Sequence, residues 1–370
     1  MASIATKRLS TGKPAYLVRF RTPDGVQRNK QFARRRDAER YANLVEIDLA
    51  QGTWVDPRLG RITVGEWFER WWPTVTDLRP TTRARDEASF RNHVLPVFGS
   101  TPLGRLDRTR LREWVTGLSD PDGQALAPAT VVKAVQVFNK VVRAAVQDRL
   151  IAHNPLEKLP VPKIARDEMR FLTVEELWRL ADAIDPRYRG IVLLGGYGGI
   201  RIGEMLALRW NAVDTTAQRV SVISTMTDLA GRISFGPPKT KAAVRTVTVP
   251  GFVIRELAAG PSPAGTGDTL VFRSPEGHVL RPGLFRRRCW NPAVDQAALT
   301  PLRIHDLRHT AVALWIAAGA NPKQIATRAG HTSVSVVLDR YGHLLPQHED
   351  PLMLALEASA PATKRLGTHP

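Results

Sequence analysis

Between Asn154 and Met169 the sequence reads NPLEKLPVPKIARDEM, a mid-chain stretch carrying three prolines and mixed charges. Each proline lacks a backbone N–H and pushes the residue before it toward extended geometry, so the stretch reads as an extended linker. A chain broken this way has to build separate cores on the two sides. Its 370 residues exceed what a single core usually serves, which also predicts two or three domains.

Ahead of the linker, PAYLVRF alternates, TPDG turns, and VQRNKQF returns, so residues 14–32 predict short antiparallel strands. From Arg34 to Ala50 the apolar residues Ala38, Tyr41, Leu44, Val45 and Leu49 recur at helical spacing. Gly52, Pro57 and Gly60 then interrupt the pattern. A second segment opens near Ile62 with ITVGEWFERWW and continues through TTRARDEASFRNHVLPVF, LREWVTGL and TVVKAVQVFNKVVRAAVQDRLI, whose apolar spacing predicts a helical bundle. After the linker, FLTVEELWRLADAI carries Thr173 three residues before Glu176, a capping-box pattern, and GIVLLGGYGGIRIGEMLAL reads as a buried helix interrupted by glycines. RVSVIST, GRISFGPPK and VRTVTVP predict a small sheet. Helices resume with RIHDLRHTAVALWIAAG, NPKQIATRAG and SVSVVLDRYGH, and the tail APATKRLGTHP reads as disordered.

Lys and Arg number 53 against 35 Asp and Glu, leaving a formal charge of +18 that calls for a polyanionic partner. No basic amphipathic helix stands apart from the globular segments, which favours nucleic acid over an acidic membrane. The opening MASIATKRLSTGK lacks the apolar core of a signal peptide, and no apolar run suits a bilayer span, so a cytoplasmic, nucleoid-associated protein is expected. The one cysteine, Cys289, can form no internal disulfide and reads as structural.

The third segment holds an ordered set of polar residues: Arg201 in GGIRIGE, Lys239 in PPKTK, His305 and Arg308 in HDLRH, His331 in AGH and Tyr341 in DRYGH. Each motif alone is weak. The ordered set resembles the tyrosine recombinase (phage integrase) family, whose signature is Arg, Lys, His-x-x-Arg, His and Tyr in that chain order. The resemblance covers residues 62–350 well and the N-terminal part more loosely. It departs at Ala329, where many relatives carry leucine before the glycine, a change expected to cost little.

The resemblance implies a multidomain, mainly α protein with small β-sheets. Residues 1–57 would be an arm-type DNA-binding module of sheet plus helix, and 62–158 a helical, SAM-like core-binding domain. Residues 159–165 would be linker, 166–350 a mixed α+β catalytic domain, and 351–370 a tail. It further implies double-stranded DNA attachment sites clamped between the two larger domains, and a homotetramer on paired sites. Integration host factor and an excisionase would be accessory partners, and no cofactor or metal would be needed. Arg34, Arg35 and Arg36, with Arg83 and Arg91, are the candidates for additional DNA contact.

Chemistry suits these assignments. Attack on a phosphodiester places charge on the non-bridging oxygens, and guanidinium groups meet it with paired donors while staying protonated, so Arg201 and Arg308 are expected to clamp the phosphate. His331 would add a donor, and Glu204 would act as a buried partner that positions Arg201. Tyr341 is the nucleophile; with an unperturbed pKa of ~10 its phenol must lose a proton during attack, and His305 is the candidate to assist. The 5′-oxygen leaves best when protonated, a task for a lysine. Lys239 is preferred because relatives resemble PKT with that lysine first, while Lys241 keeps the register ambiguous.

Plainer readings stand beside these. Arg201 with Glu204 would ordinarily be a helix ion pair, and Tyr341 a half-buried aromatic. Trp67, Trp71 and Trp72 read as helical core, and the Arg34–Arg36 run as either a solvated face or a DNA contact. His305 and His309 have zinc-compatible spacing, but position 306 is Asp where H-E-x-x-H needs Glu. The competing functions are a catalytically inactive DNA-binding relative and a metal-dependent nuclease.

Overall fold

A computed structural model describes residues 2–8, 13–120, 125–165, 169–260, 267–345, 353 and 356–359. The chain separates into two compact units, Met1–Arg166 and Asp167–Pro370, dividing at the end of the proline-bearing stretch.

In the first unit, β1 (Ser3–Arg8), β2 (Pro14–Arg21) and β3 (Gln27–Phe32) form an antiparallel sheet in chain order. The β2–β3 pair is the one expected from sequence; β1 was not, because IATKR lacks clear alternation. Val18 and Phe20 point to one face of β2 and pack against Ala38, Ala42 and Val45 of α1 (Arg35–Ala50). Alternation therefore sends Arg19 and Arg21 to the other face, where both are exposed.

The remainder of this unit is helical: α2 (Val64–Trp71), α3 (Pro80–His93), α4 (Leu95–Phe98), α5 (Arg108–Leu118) and α6 (Pro128–Gln147). Thr63 caps α2 in a capping box with Glu66, and Pro80 and Pro128 begin their helices, where the missing N–H costs nothing. Trp67 and Trp72 are buried with Phe68, Phe90 and Phe138, and Trp67 Nε1 donates to the carbonyl of Val141 at 3.0 Å. The tryptophan stripe is thus core, with Trp71 only partly buried against it. Asp86 is buried too, held by Lys133 at 2.6 Å and Lys140 at 2.9 Å.

The second unit begins with α7 (Val174–Ala183), capped by the Thr173–Glu176 box, and α8 (Arg189–Gly198). A short α9 (Ile202–Met205) leads into β4 (Val213–Asp214), β5 (Arg219–Val222), β6 (Thr225–Leu229), β7 (Arg232–Gly236) and β8 (Arg245–Thr248). The single sheet expected here is two: β4-β5-β8, and a separate β6-β7 hairpin. TMTDL on β6 was missed because Thr227 and Asp228 dilute its apolar alternation. Then come α10 (Gly251–Ala258), α11 (Pro282–Phe285), α12 (Asn291–Gln296), α13 (Asp306–Ala317), α14 (Pro322–Ala329) and α15 (Ser335–Tyr341). Cys289 is half-buried against the core of this unit, in keeping with a structural role. Residues 360–370, the disordered-tail expectation, lie outside the described residues. No helix among the described residues is long and apolar enough to cross a membrane.

α8 packs against α13, and glycine governs how it ends. Gly199 takes a left-handed φ of +63°, and a Cβ there would lie 2.6 Å from the Trp315 ring of α13. Gly199→Ala is expected to destabilise this unit by about 2 kcal/mol, combining left-handed backbone cost with overpacking. A chemical denaturation series compared with wild type would measure it; an unchanged midpoint would contradict this account.

Candidate active site

Arg201 sits where α8 has ended and α9 begins. Its backbone N–H donates to Glu204 Oε2 at 3.1 Å and its Nη1 to Glu204 Oε1 at 2.8 Å. Glu204 is 5% exposed, so a bare carboxylate there would be costly. A second guanidinium answers that cost: Arg245, at the start of β8, donates from Nη2 to Glu204 Oε2 at 3.0 Å. Burial pushes the Glu204 carboxyl up, but Arg245 and Arg201 outweigh it and hold the group below the ordinary carboxylate range. Arg245 also donates from Nε to the carbonyl of Arg328 at 2.7 Å and from Nη1 to that of Ala243 at 3.0 Å. Glu204 is buried and ion-paired with Arg201, the residue that sequence suggested it would position, whereas Arg245 went unnoticed inside a strand-like run.

Arg308 lies on the first turn of α13 and is 3% exposed. Its Nη1 donates to the Gly199 carbonyl at 2.6 Å, and its Nη2 donates to the carbonyl of Ala329. One buried guanidinium therefore joins the turn that presents Arg201 to the end of α14 that presents His331. Ala329, the departure from the family pattern, serves here through its backbone and is itself fully buried. Burial, with Arg201 and Arg245 alongside, lowers the Arg308 pKa to about 9, leaving it cationic at neutral pH.

His331 follows Gly330, which has a φ of +64° and closes α14. A Cβ at Gly330 would lie 3.0 Å from the Ala242 carbonyl, so the strand-to-strand connection from β7 to β8 runs directly against it. Lys239 and its alternative, Lys241, are exposed side chains on that connection. His331 Nδ1 is buried with no hydrogen-bond partner among the described residues. Burial and then the Arg308 and Arg201 charges depress its pKa to about 4.

His305 is the N-cap of α13, just ahead of Asp306, which is held by Arg303 at 2.9 Å. Its pKa also falls to about 4, through burial first, then His309, Arg308 and Arg201. Tyr341, at the end of α15, is 1% exposed. Its phenol hydrogen-bonds His309 Nδ1 at 2.6 Å. His305 was the residue expected from sequence to assist the phenol; the hydrogen bond to it is made instead by the next histidine on the helix, one further turn along α13. Burial raises the Tyr341 pKa, with Arg308 pulling the other way.

Arg201, His305, Arg308, His331 and Tyr341 thus share one neighbourhood: the Arg201 charge acts on each of the other four. Three of its guanidiniums, Arg201, Arg245 and Arg308, share the Glu204 carboxylate, Arg340 adds a further positive charge, and the Asp306 carboxylate is held by Arg303. The suggested DNA contacts of the first unit fare differently. Arg83 donates to the carbonyls of Trp72 and Val75 and stacks on the Trp72 ring, and Arg91 is paired with Glu69 and Glu87. Arg83 thus ties α3 to the backbone that follows α2, and Arg91, still exposed, pairs within α3 with Glu87 and across to Glu69 of α2. Arg34 and Arg36 are exposed at the start of α1, where Arg35 pairs with Glu39.

A fold built this way, with these cations gathered about a tyrosine, is that of a DNA strand-exchange enzyme. The phage integrase family model matches residues 170–348, and the N-terminal SAM-like domain of phage integrases matches 63–119. The integrase of Mycobacterium phage L5 is 26% identical across 90% of both chains, and that of Mycobacterium phage D29 is 27% identical over 82% of this chain and 83% of its own. Among solved structures, the Tn1549 transposon integrase bound to a circular intermediate DNA superposes with a TM-score of 0.65 at 20% identity, over 81% of this chain and all of that one. A lambda integrase dimer bound to a COC' core site gives 0.58 at 16% identity, over 93% and 97%. The chain belongs to the tyrosine recombinase, or phage integrase, family.

Two outcomes follow from the site. Arg245→Met strips Glu204 of a buried partner and is expected to cost about 3 kcal/mol of stability, read by denaturant unfolding. His305 and His331 bind protons in the unfolded chain before they do in the folded one. Their contribution is therefore complete above pH 6.5, the ordinary histidine value, and declines as pH falls from there toward about 4. Thermal melts across that window are expected to drop, and His331→Gln to flatten the drop; an equally steep fall in the variant would refute the assignment.

Proposed function

We propose that this chain is a site-specific DNA recombinase, an integrase, that cuts and rejoins strands through a covalent 3′-phosphotyrosyl bond to Tyr341. The observation that carries this reading is the excess of guanidinium charge around one buried phenol. Arg308, Arg201 and Arg245 offset only Glu204, and a phosphodiester supplies the anion the cluster lacks.

In this mechanism the phosphate enters between Arg201 and Arg308, with His331 offering its unpartnered ring nitrogen as a further contact. The neighbouring anion favours the protonated imidazole, reversing the depression seen without DNA. Tyr341 Oη attacks phosphorus, and the 5′-oxygen leaves as it takes a proton from the lysine on the β7–β8 connection, Lys239 in preference to Lys241. The phosphotyrosyl bond keeps the energy of the broken diester, so a 5′-hydroxyl from another strand reseals it without ATP. The guanidinium cluster does the charge-stabilising work that a divalent ion does elsewhere.

The three-part division, 1–57, 62–158 and 166–350, belongs to the same reading. In the first part the free face of the sheet carries Lys7, Arg19 and Arg21 beside Gln27, Asn29 and Gln31, all exposed. Amide and guanidinium side chains in adjacent rows are the chemistry that reads base edges, which supports an arm-type DNA-binding module. Arg34, Arg35 and Arg36 would add phosphate contacts from the start of α1. A lambda integrase tetramer is known bound to a Holliday junction. The corresponding assembly here is a homotetramer on paired attachment sites, with integration host factor and an excisionase as accessory proteins.

A duplex nicked near the cut site traps the covalent species. Wild type is expected to form a protein–DNA adduct that survives denaturant and EDTA, Tyr341→Phe none, and Arg308→Ala at least about a hundredfold less. No adduct from wild type would leave a catalytically inactive DNA-binding relative. Activity abolished by EDTA and restored by zinc would mean a metal-dependent nuclease.

A further inference from the structure

We propose that His309, beside the His-x-x-Arg motif and outside it, is a further catalytic residue whose Nδ1 takes the phenolic proton as Tyr341 Oη attacks phosphorus. The inference rests on the recombinase reading and adds a residue to it.

Geometry carries the assignment. The Oη–Nδ1 separation is 2.6 Å, a short hydrogen bond made inside the protein, since His309 is 5% and Tyr341 1% exposed. The two residues come from different elements, α13 and α15, so the contact is a product of tertiary packing and holds the phenol oxygen beside a base before DNA arrives. The His305 ring meets the His309 ring edge to face, centroids 5.0 Å apart, which places His305 one step further from the phenol.

The proton balance is simple. In the resting pair the buried phenol keeps its proton and donates it to an unprotonated Nδ1, the ring carrying its own hydrogen on Nε2. As the Oη–P bond forms, that proton moves to Nδ1 and His309 becomes imidazolium, while the 5′-oxygen departs with a proton from the lysine. On rejoining, a 5′-hydroxyl attacks, the Oη–P bond breaks, and the imidazolium returns the proton to the leaving phenolate. Burial disfavours the imidazolium and Asp306 favours it, the Arg340, Arg303 and Arg308 charges again disfavour it, so the pKa lies below the ordinary histidine value, and His305 lies alongside. Such a base is neutral and ready at neutral pH, and cleavage is lost as acid protonates it.

Single-turnover adduct formation on the nicked duplex tests this with His309→Ala and His309→Asn. Asn keeps a polar atom near the Nδ1 position but takes no proton, and it serves if Ala does not fold. Each substrate is used twice, with the ordinary 5′-oxygen and with a bridging 5′-sulfur that leaves without protonation. Both variants are expected to bind the duplex like wild type yet cleave about a hundredfold more slowly on either substrate, the deficit narrowing as rising pH lets hydroxide remove the proton. The proposal is overturned by an Asn variant within about threefold of wild type, which would reduce His309 to a hydrogen-bonding prop. It is equally overturned if sulfur restores full speed, which would put the fault on the leaving-group side. Tyr341→Phe separates the two levels of inference: wild type with an adduct and Tyr341→Phe without one leave the recombinase reading standing whatever His309 does, and an adduct-free wild type sinks both.

Discussion

Arg308 is a full charge at 3% exposure whose two terminal nitrogens each donate to one backbone carbonyl, leaving further N–H groups for an anion. That choice organises the second unit. The Gly199 carbonyl belongs to the turn that α8 can make only because residue 199 tolerates a left-handed φ, and the Ala329 carbonyl ends α14 just before a second left-handed glycine. Two helix ends, which would otherwise bury unsatisfied acceptors, are closed by one side chain. Because Arg201 follows the first turn and His331 the second, the same contacts that satisfy the backbone fix where both side chains emerge.

The cluster is left short of negative charge. Glu204 is shared between Arg201 and Arg245, and nothing among the described contacts gives Arg308 a carboxylate of its own. The depressed pKa values at Arg308, His305 and His331 come from burial first, with neighbouring cations adding to it, His309 ahead of the guanidiniums at His305. Burying several guanidiniums against so little negative charge is costly for an isolated protein. Retaining all three makes sense when an anion enters during the working cycle.

What could be read from the sequence was whatever chain order encodes. Arg201, His305, Arg308, His331 and Tyr341 stood in a recognisable succession, and the helices came through wherever apolar residues recurred at helical spacing, as on α6 or under the Thr173 capping box. Contacts made across elements were not legible. Arg245 sits in VRTVTVP, an ordinary strand run, and only folding brings it to Glu204, 41 positions earlier. His309 looked like the spare member of a His pair because α15 had not yet been laid over α13. β1 and β6 escaped for a simpler reason: an exposed or half-buried strand with Thr, Lys or Asp in its apolar positions leaves no alternation to find.

Tyr341, the proposed nucleophile, is the most enclosed member of the set, and that has an energetic consequence. A phosphate cannot reach an oxygen on a residue 1% exposed unless its cover gives way. α15 is suited to yield: it is seven residues long, only Val337 and Tyr341 among its side chains are buried, and Thr332 and Ser333 ahead of it are exposed. Uncovering one aromatic side chain costs about 2 to 3 kcal/mol. Each charge-assisted hydrogen bond between a guanidinium and the incoming phosphate returns about 1.5 to 3 kcal/mol. Two such bonds are enough to offset the exposure, so the anion that completes the cationic cluster can also supply the free energy that brings Oη within range of phosphorus. A phenol held closed until its substrate phosphate arrives is poorly placed to attack anything else, and the same burial that raises its pKa keeps it protonated beside His309 until phosphorus is within reach.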